Sequence, residues 1–404
     1  MSNKKVNVCY VIDSFQVGGA NKLTLQTIKL LSRNRFNVSV ISLISKDNDL
    51  EFVGSFLNDK ETKIHLLNIQ HKGFIGAIRD IKNILSDCDI VVSVLESSNF
   101  YCSIISTFIL RNKIFVCTMH GLDPDNINDF YFIKNVKDKW TFKRKLKLKY
   151  IQWLLFRSYE HFIAVSINIR EYAKTKYNLK DSKVTTIYHG IDVNEMAIRP
   201  NEKVTEKYSK KIKESFNLKD NDFILAYVGR LTYAKGLEEL LISFKQLSEI
   251  YHNIKLLLIG DGERRSYLEN YIKENRLANN CHVTGFMYNI SNVYSLIDLF
   301  VLPSYAEGIP LTLMEAMFNS KVTLSSNVGG IPEIVQNNVN GFIFPMGDFS
   351  IFENKVINIY ENKDKMDNLK LSAKARVVEH FDINKNVQKI EDLFVKVYNT
   401  KLTK

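Results

Sequence analysis

The chain has 404 residues, of which 45% are hydrophobic and 25% are charged, and its formal net charge is +11. A chain of this length is too long to fold around one hydrophobic core and is expected to form two domains. The composition is that of a globular protein, which excludes disordered and fibrous proteins. The five cysteines are scattered without metal-ligand spacing, and their odd number argues against a disulfide framework and for a reduced, cytosolic protein.

Secreted and membrane-spanning classes are also disfavoured. Residues 1–5 lead directly into a strand signal, without the apolar core of a signal peptide. No apolar run approaches the roughly 18 residues that span a bilayer. The best candidate, 103–110, is followed by Arg111 and is predicted to be a buried helix. We therefore expect a cytoplasmic protein.

Strand and helix signals alternate along the first half of the chain, which predicts a parallel sheet with helices on both faces. Helical spacing over 21–32 follows an apolar first strand. Ser166 comes directly after the last of these strands and is expected to be a helix N-cap. The strands predicted in this half are 6–12, 38–44, 90–95, 114–118 and 162–165.

The second half repeats the alternation after a charged and polar stretch, 196–221, which is predicted to be a linker. The last helix shows apolar side chains at helical spacing on one face. These side chains are Val387, Ile390, Phe394, Val397 and Tyr398. The strands predicted in this half are 223–228, 254–259, 282–284, 299–302, 322–325 and 342–344.

The segment 303–317 says most about function. The strand before it stops at Pro303, a short loop carries Glu307 and Gly308, and a helix is predicted to begin near Pro310, where a missing N–H costs nothing. The free N–H groups of the first turn favour an anion, and Gly308 lets the backbone approach a ligand closely. Glu307 has the wrong charge for a phosphate and suits hydroxyl groups instead. Glu315, predicted about two turns into the helix, can reach further hydroxyls, so the segment fits a nucleotide sugar.

This segment resembles the donor-binding motif of the family 4 retaining glycosyltransferases, which have the GT-B architecture of two Rossmann-like domains facing across a cleft. The resemblance is dense from about 222 to 345 and sparse before 195. The other matching segments are Val228–Gly236, Leu258–Gly262, Gly329–Glu333, Gly18-Gly19-Ala20, His120 and Gly190-Ile191-Asp192.

The resemblance implies a fold class and a domain division. The fold is α/β, with two doubly wound parallel-sheet domains. The first is an acceptor-binding domain over 1–195, and the second is a nucleotide-sugar-binding domain over 222–381. In this architecture the final helix crosses back onto the first domain, so 382–404 is expected to join it.

The resemblance also implies roles for individual residues. Arg230 and Lys235 follow a strand end, where open α/β sheets place ligands. They would bind the diphosphate, and Gly18 and Gly19 would approach the same phosphates from the other domain. Glu307 would hold donor sugar hydroxyls, and His120 would contact the sugar near the reacting carbon, so these two are the predicted catalytic residues. The remaining predicted donor contacts are Glu315 to the ribose, Met287 to the base, and Gly308, Ile309, Pro310, Leu311 and Thr312 to the distal phosphate and sugar.

Four residues depart from the family pattern. The family often has Glu-Arg where this chain has Asn21-Lys22, and it usually has Asp or Asn where Gly121 follows His120. His189 stands where asparagine is more common, and is only a possible contact.

The implied reaction is retaining transfer from a nucleoside diphosphate sugar, with a UDP-sugar favoured, to an acceptor hydroxyl. The expected acceptor is a lipid-linked glycan of bacterial surface polysaccharide synthesis. No cofactor or metal is expected, because the Asp-x-Asp pairs other than Asp123/Asp125 lie away from the donor motifs, and Arg230, Lys235 and the helix N-terminus can offset the leaving-group charge. These pairs are Asp47/Asp49, Asp87/Asp89, Asp123/Asp125 and Asp220/Asp222.

A basic segment, Lys134–Lys149, holds eight lysines and arginines against the single acid Asp138. Trp140, Phe142 and Trp153 lie within or close to it, and such aromatic residues suit a membrane interface. The alternatives are a solvated helix face and nucleic acid, but no nucleic-acid fold signature accompanies the segment. We therefore predict peripheral binding to the anionic inner face of the cytoplasmic membrane.

Two other classes of protein stay open. An isomerase of the same architecture, such as a nucleotide-sugar epimerase, would convert the donor without an acceptor. A non-catalytic donor-binding protein would be expected to lack one of the site residues, yet Glu307, Lys235 and His120 are all present. A glycoside hydrolase pair is disfavoured, because Glu307 and Glu315 accompany phosphate-binding groups.

Overall fold

The computed structural model describes residues 5–15, 19–45, 61–121, 157–198, 202–287 and 290–403, together with Val53, Leu57, Tyr150 and Trp153. The chain divides into two compact units. Unit 1 comprises Met1–His189 and Ile383–Lys404, and unit 2 comprises Gly190–Asp382. The final helix therefore belongs to the first unit, and the stretch predicted to be a linker carries a helix, Glu202–Ser215, within unit 2.

Unit 1 is built on a parallel sheet of seven strands in the order β3-β2-β1-β4-β5-β6-β7. The order reverses direction between β1 and β4, as in doubly wound folds. β1 and β4 are mainly apolar and almost wholly buried, so their sequences show little alternation between apolar and polar residues. The strands are β1 (Val6–Ser14), β2 (Phe36–Ile44), β3 (Lys63–Leu66), β4 (Ile90–Ser93), β5 (Ile114–Met119), β6 (His161–Ala164) and β7 (Val184–Thr186).

The described helices of unit 1 cover this sheet. Ser166 caps α4 as predicted, since its hydroxyl accepts a hydrogen bond from Ile169 N–H at 3.1 Å. Asp13, at the end of β1, accepts from the N–H groups of Ser97 and Ser98 and so caps α3. The helices are α1 (Gly19–Leu30), α2 (Phe74–Leu85), α3 (Glu96–Phe108) and α4 (Ile167–Tyr177), with α14 (Ile383–Leu402) from the end of the chain.

α14 is held to unit 1 by packing and by a buried carboxylate. Phe394 packs edge-on against Tyr10 and Phe36, with ring centroids 6.5 and 6.1 Å away. Glu391 is buried, and it accepts from Ser32 N–H at 2.6 Å and from Arg35 at 2.9 Å. The pairing satisfies a charge that burial would otherwise make costly.

Unit 2 is built on a parallel sheet of six strands in the order β10-β9-β8-β11-β12-β13, which reverses between β8 and β11. The strands are β8 (Phe223–Val228), β9 (Ile254–Ile259), β10 (Cys281–Gly285), β11 (Leu299–Leu302), β12 (Val322–Ser326) and β13 (Phe342–Phe344). The helices are α5 (Val193–Ala197), α6 (Glu202–Ser215), α7 (Leu237–Ile250), α8 (Arg265–Glu274), α9 (Ile290–Tyr294), α10 (Leu311–Phe318), α11 (Ile331–Ile334), α12 (Phe349–Glu361) and α13 (Asp367–His380).

The predicted fold class, two doubly wound parallel-sheet α/β domains, is confirmed. The expectation of a buried helix over 103–110 needs one correction, because α3 ends at Phe108 and both Phe108 and Ile109 are exposed. Within the described parts of the chain, no helix is both long and apolar enough to cross a membrane.

Candidate functional site

The candidate site lies at the carboxyl edge of the unit 2 sheet, where the strand order reverses. β8 and β11 are neighbours there, and the loop after each strand carries predicted site residues. Ligands of open α/β sheets bind in the crevice at such a reversal. The sequence therefore places Arg230, Lys235 and Glu307 at the part of the sheet best suited to a ligand.

Lys235 and Glu307 form an ion pair between these two loops. Lys235 Nζ lies 2.6 Å from Glu307 Oε1, and both side chains are mostly buried. The same carboxylate oxygen accepts from Ser304 Oγ at 2.7 Å. An ammonium group has three donors, so Lys235 can keep this pair and still donate to a phosphate oxygen. Ser304 was not predicted, because a serine near a strand end carries no distinguishing sequence signal.

The two loops are also joined through their backbones. Tyr305 N–H donates to Ala234 C=O at 2.9 Å, and the Tyr305 hydroxyl bonds to Glu239. Gly236 has φ +64°, and a Cβ there would lie 2.1 Å from Pro303 C=O. The glycine thus permits the close approach that lets Lys235 reach Glu307.

A third loop, after β12, supports the backbone of Glu307 and Gly308. Gly329 has φ +54°, and a Cβ on it would meet Glu307 C=O at 1.8 Å. A Cβ on Gly330 would meet Gly308 C=O at 2.1 Å. Gly329 and Gly330, which belong to a motif identified in the sequence, therefore set the position of the Glu307 loop by direct backbone contact.

The helix after this loop is α10, and it corrects the predicted place of Pro310. Pro310 is the N-cap, with φ −76° and an extended ψ of 117°, and Leu311 is the first helical residue. The N-cap residue lies outside the helix and keeps its extended backbone, so the helix begins one residue later than an N1 proline would require. Its N-cap residue, Pro310, makes no side-chain capping hydrogen bond, and the first N–H groups of a helix are suited to an anion.

Glu315 lies four residues after Leu311, just over one helical turn and not about two turns as predicted. It is buried, and it accepts from the Tyr294 hydroxyl at 3.1 Å. The same hydroxyl lies 3.2 Å from Thr312 C=O. Burial, and then the charge of Glu315, raise the pKa of Tyr294, which keeps it a donor. Tyr294 was missed because it comes from α9, outside every motif.

The remaining predicted contacts of unit 2 lie after β8, after β10 and at the start of α10. Arg230 is exposed two residues after β8, and its carbonyl accepts from the Tyr227 hydroxyl at 2.8 Å. Met287 is partly buried just beyond β10. Ile309 is buried, and Thr312 is partly buried in the first turn of α10.

His120 lies in unit 1, directly after β5, and is paired with a second histidine. His189 Nε2 lies 3.1 Å from His120 Nδ1, and the two rings stack with centroids 4.6 Å apart. Burial lowers the pKa of His120 to about 4, and burial followed by the charge of His120 lowers the pKa of His189. Both imidazoles are therefore neutral at pH 7. Nε2 of His120 is buried without a partner among the described residues.

Gly19 is the first residue of α1, after β1 of the same unit, whereas Gly18 lies outside the described residues. The basic segment Lys134–Lys149 and the pairs Asp47/Asp49 and Asp123/Asp125 lie outside them as well. In the portion that the structure describes, no group of three or more His, Cys, Asp or Glu side chains could hold a metal ion.

Two family descriptions divide the chain between them. Residues 209–376 match the family described as "Glycosyl transferases group 1", and residues 17–195 match the family described as "Glycosyltransferase Family 4". The two matches follow one another along the chain, in the two halves where the sequence motifs lie.

Curated relatives and solved structures agree with these matches. The chain is 23% identical over 402 residues to the UDP-Gal:alpha-D-GlcNAc-diphosphoundecaprenol alpha-1,3-galactosyltransferase of Escherichia coli, covering 98% of each chain. It is 26% identical over 373 residues to the capsular polysaccharide biosynthesis glycosyltransferase CapM of Staphylococcus aureus, covering 87% of this chain and 91% of CapM. The structure of Anabaena HepE in complex with UDP superposes with a TM-score of 0.77 at 20% identity, over 97% of this chain and 100% of HepE.

Proposed function

Because the chain belongs to the family 4 glycosyltransferases of GT-B architecture, we propose that it transfers a sugar from a UDP-sugar to a hydroxyl of a lipid-linked glycan, with retention of anomeric configuration. It is a hexosyltransferase-type glycosyltransferase that acts on nucleotide sugars.

The observation that carries the proposal is the Lys235–Glu307 pair beside the uncapped N-terminus of α10. A cation and free N–H groups suit the diphosphate, and a carboxylate suits the sugar hydroxyls. A ligand that joins a phosphate directly to a sugar needs a cation and a carboxylate close together, and Lys235 and Glu307 are 2.6 Å apart. A phosphate site alone would have no use for Glu307, since the carboxylate would repel the anion.

In the proposed reaction the acceptor oxygen bonds to the anomeric carbon as the bond from that carbon to the diphosphate oxygen breaks. The acceptor proton passes to the departing diphosphate on the same face of the sugar. Arg230, Lys235 and the N–H groups of α10 stabilise the charge that develops on the leaving oxygen. Glu307 orients the sugar, Glu315 holds the ribose, and Met287 contacts the base.

His120 is proposed to contact the sugar near the reacting carbon. Its lowered pKa, about 4, caused by burial, makes it a neutral hydrogen-bonding group and not a cation at pH 7. A neutral imidazole has one donor and one acceptor nitrogen. His189 occupies Nδ1, which leaves Nε2 for a ligand.

The identity of the donor base and of the acceptor is supported by relatives. The Escherichia coli relative is named for a UDP-galactose donor and a diphosphoundecaprenol-linked acceptor, and HepE has been solved with UDP. We propose the same chemical classes here, a UDP-sugar and a polyprenyl-linked glycan, with no metal or cofactor required.

We further propose that the enzyme is peripheral on the inner face of the cytoplasmic membrane, attracted through Lys134–Lys149. Its eight cations each contribute about 1 kcal/mol beside an anionic surface. Flotation with anionic vesicles should show binding that weakens as salt rises and falls when four of these lysines become glutamine. Equal recovery of the enzyme with neutral and anionic vesicles would contradict electrostatic attachment through Lys134–Lys149.

A panel of nucleotide sugars tests the donor. The purified enzyme should be stabilised against heat by UDP-sugars more than by GDP-sugars, and the stabilisation should grow with the logarithm of ligand concentration above the Kd. Incubation with the stabilising donor and a lipid extract should give a glycosylated lipid. Conversion of the donor to an isomer without any acceptor would indicate an epimerase instead.

A further inference from the structure

The start of α2 and the residues before it form a run of six consecutive exposed residues, 70–75. Two of them are large and apolar, since Phe74 is 50% exposed and Ile75 is 82% exposed. Single apolar residues on a surface are ordinary. Two adjacent ones at the tip of a helix, continuous with further apolar surface, mark an interaction site.

That further surface is supplied by α3. Phe74 packs on Phe100 and Tyr101, with ring centroids 6.0 Å away in each case. Residues 97–110 contain no charged side chain, and Phe108, two turns beyond Tyr101 on the same face, is exposed with Ile109. We call Phe74, Ile75, Phe100, Tyr101, Phe108 and Ile109 the apolar tip.

The charges around the apolar tip are mainly positive. From Lys72 to Leu85 the chain carries Lys72, Arg79 and Lys82 against the single acid Asp80, and Asp87 follows the end of α2. Lys72 pairs with Asp80 at 2.5 Å, whereas Arg79 is exposed and 3.7 Å from it. The N-cap, Gly73, offers no side-chain cap, so the first N–H groups of α2 are available to phosphate oxygens. Apolar side chains flanked by cations complement an anionic bilayer, whose headgroups are negative and whose interior is apolar.

A second copy of the chain fits this surface less well. The net charge is +11, and apposing two basic rims would add like-charge repulsion to any apolar gain.

We propose that the apolar tip inserts into the interface of an anionic phospholipid bilayer, with Phe74 and Ile75 entering first and the exposed face of α3 lying along the surface. The inference rests on the proposed function, because a polyprenyl-linked acceptor requires the enzyme at a bilayer. It adds a salt-resistant, apolar attachment to the salt-sensitive attraction of Lys134–Lys149.

Insertion is measured with an environment-sensitive fluorophore on Ile75→Cys in the full chain. All five native cysteines are buried, so the introduced thiol is the accessible one among them. The matched control is Ile250→Cys at the end of α7, in unit 2, where the isoleucine is 66% exposed. Vesicles of phosphatidylglycerol and phosphatidylcholine in about 1 M salt, where the screening length is about 3 Å, should brighten the probe at 75 and leave the probe at 250 unchanged. An unchanged probe at 75 would overturn the proposal.

The same vesicles test the two side chains directly. In about 1 M salt, flotation of Phe74→Ser/Ile75→Ser should fall at least about tenfold below the parent, because two apolar side chains no longer leave water. The control Ile242→Ser/Ile250→Ser removes two exposed apolar side chains of α7 and should float like the parent. Equal flotation of both variants, or a concentration-dependent dimer that only the first variant loses, would overturn the proposal.

Donor processing without vesicles distinguishes a failure of membrane insertion from a failure of the proposed function. Release of UDP from the UDP-sugar, with no vesicle present, should be equal in the parent and in Phe74→Ser/Ile75→Ser. A parent that binds vesicles but processes no nucleotide sugar would refute the proposed function and leave membrane insertion standing. A parent that processes the donor but shows no salt-resistant flotation would refute the insertion alone.

Discussion

At the scale of single residues, the candidate site combines groups of opposite charge that the fold forces together. Lys235 and Glu307 are 72 positions apart in sequence and 2.6 Å apart in space. The sequence identified both residues through motif resemblance, and their strand-end positions placed them at one sheet edge. Their direct pairing was not predicted, because it depends on the close backbone approach at Gly236 and Pro303.

Lys235→Ala is expected to lower turnover by roughly 10²-fold or more, about 3 kcal/mol of transition-state stabilisation. The reason is the loss of the cation that pairs with Glu307 and that, in the proposed reaction, binds the diphosphate. Steady-state kinetics with the preferred donor measures the effect, and Lys245→Ala on α7, which bonds only to Asn275 in the described structure, serves as control. Near-normal turnover in a folded Lys235→Ala enzyme would remove Lys235 from the site.

Tyr294→Phe is expected to raise KM for the donor about tenfold while changing kcat little. The substitution removes the hydroxyl that bonds to the buried Glu315 carboxylate at 3.1 Å, and hydrogen bonds to charged groups contribute about 1.5–3 kcal/mol. Calorimetric titration with UDP should show the same weakening. Unchanged UDP affinity would mean that Glu315 does not need Tyr294 to bind the nucleoside.

At the scale of secondary-structure elements, the sequence predicted the strands of unit 2 well and missed the two edge strands of unit 1. β8, β9, β11 and β13 were predicted with the bounds that the structure shows, because their sequences are mainly apolar. β3 and β7 were not predicted. β3 is only partly buried with a mixed sequence, and β7 has three residues, so neither carries a periodic signal above that of a loop.

Gly329→Ala is expected to weaken donor binding at least about tenfold by displacing the Glu307 loop. Alanine there would put a Cβ 1.8 Å from Glu307 C=O, on a residue with φ +54°, so the loop after β11 must shift. Gly347→Ala is the matched control, since its φ of +90° carries similar backbone strain but nothing lies within 4 Å of a Cβ there. Equal UDP affinities in the two folded variants would show that the glycine contact does not position the site.

At the scale of the whole molecule, two discontinuous segments make unit 1, and a few buried polar residues hold the pieces together. The apolar face of α14 was visible in the sequence, and Val387, Ile390 and Phe394 are indeed buried. Its attachment through Glu391 was not visible, because a glutamate on a helix is usually solvated. Only the tertiary fold, which brings Ser32 and Arg35 to it, shows otherwise.

Stability is expected to fall as pH is lowered from about 6.5 towards 4. Burial lowers the pKa of His120 and of His161 to about 4, and also lowers the pKa of His189 and His282. The unfolded chain binds protons at these sites near pH 6.5 while the folded chain does not, so the stabilisation present above pH 6.5 is lost on acidification. Each pKa unit corresponds to about 1.4 kcal/mol. Urea unfolding between pH 7.5 and 5, about the range over which histidine titrates, measures the loss.

His161→Gln, which keeps a partner for Thr185 but removes the titratable group, should flatten part of that pH dependence. A urea midpoint that stays constant or rises on acidification of the parent would contradict the burial of neutral histidines.

The measurement that tests the central claim most directly is acceptor-dependent release of UDP by the wild-type enzyme and by Glu307→Gln. With a UDP-sugar and a polyprenyl-linked glycan, the account predicts UDP release stoichiometric with a new glycosidic bond of the donor's anomeric configuration. Glu307→Gln should reduce this release by roughly 10²-fold or more. Transfer with inverted configuration, donor isomerisation without an acceptor, or an unimpaired Glu307→Gln enzyme would contradict it.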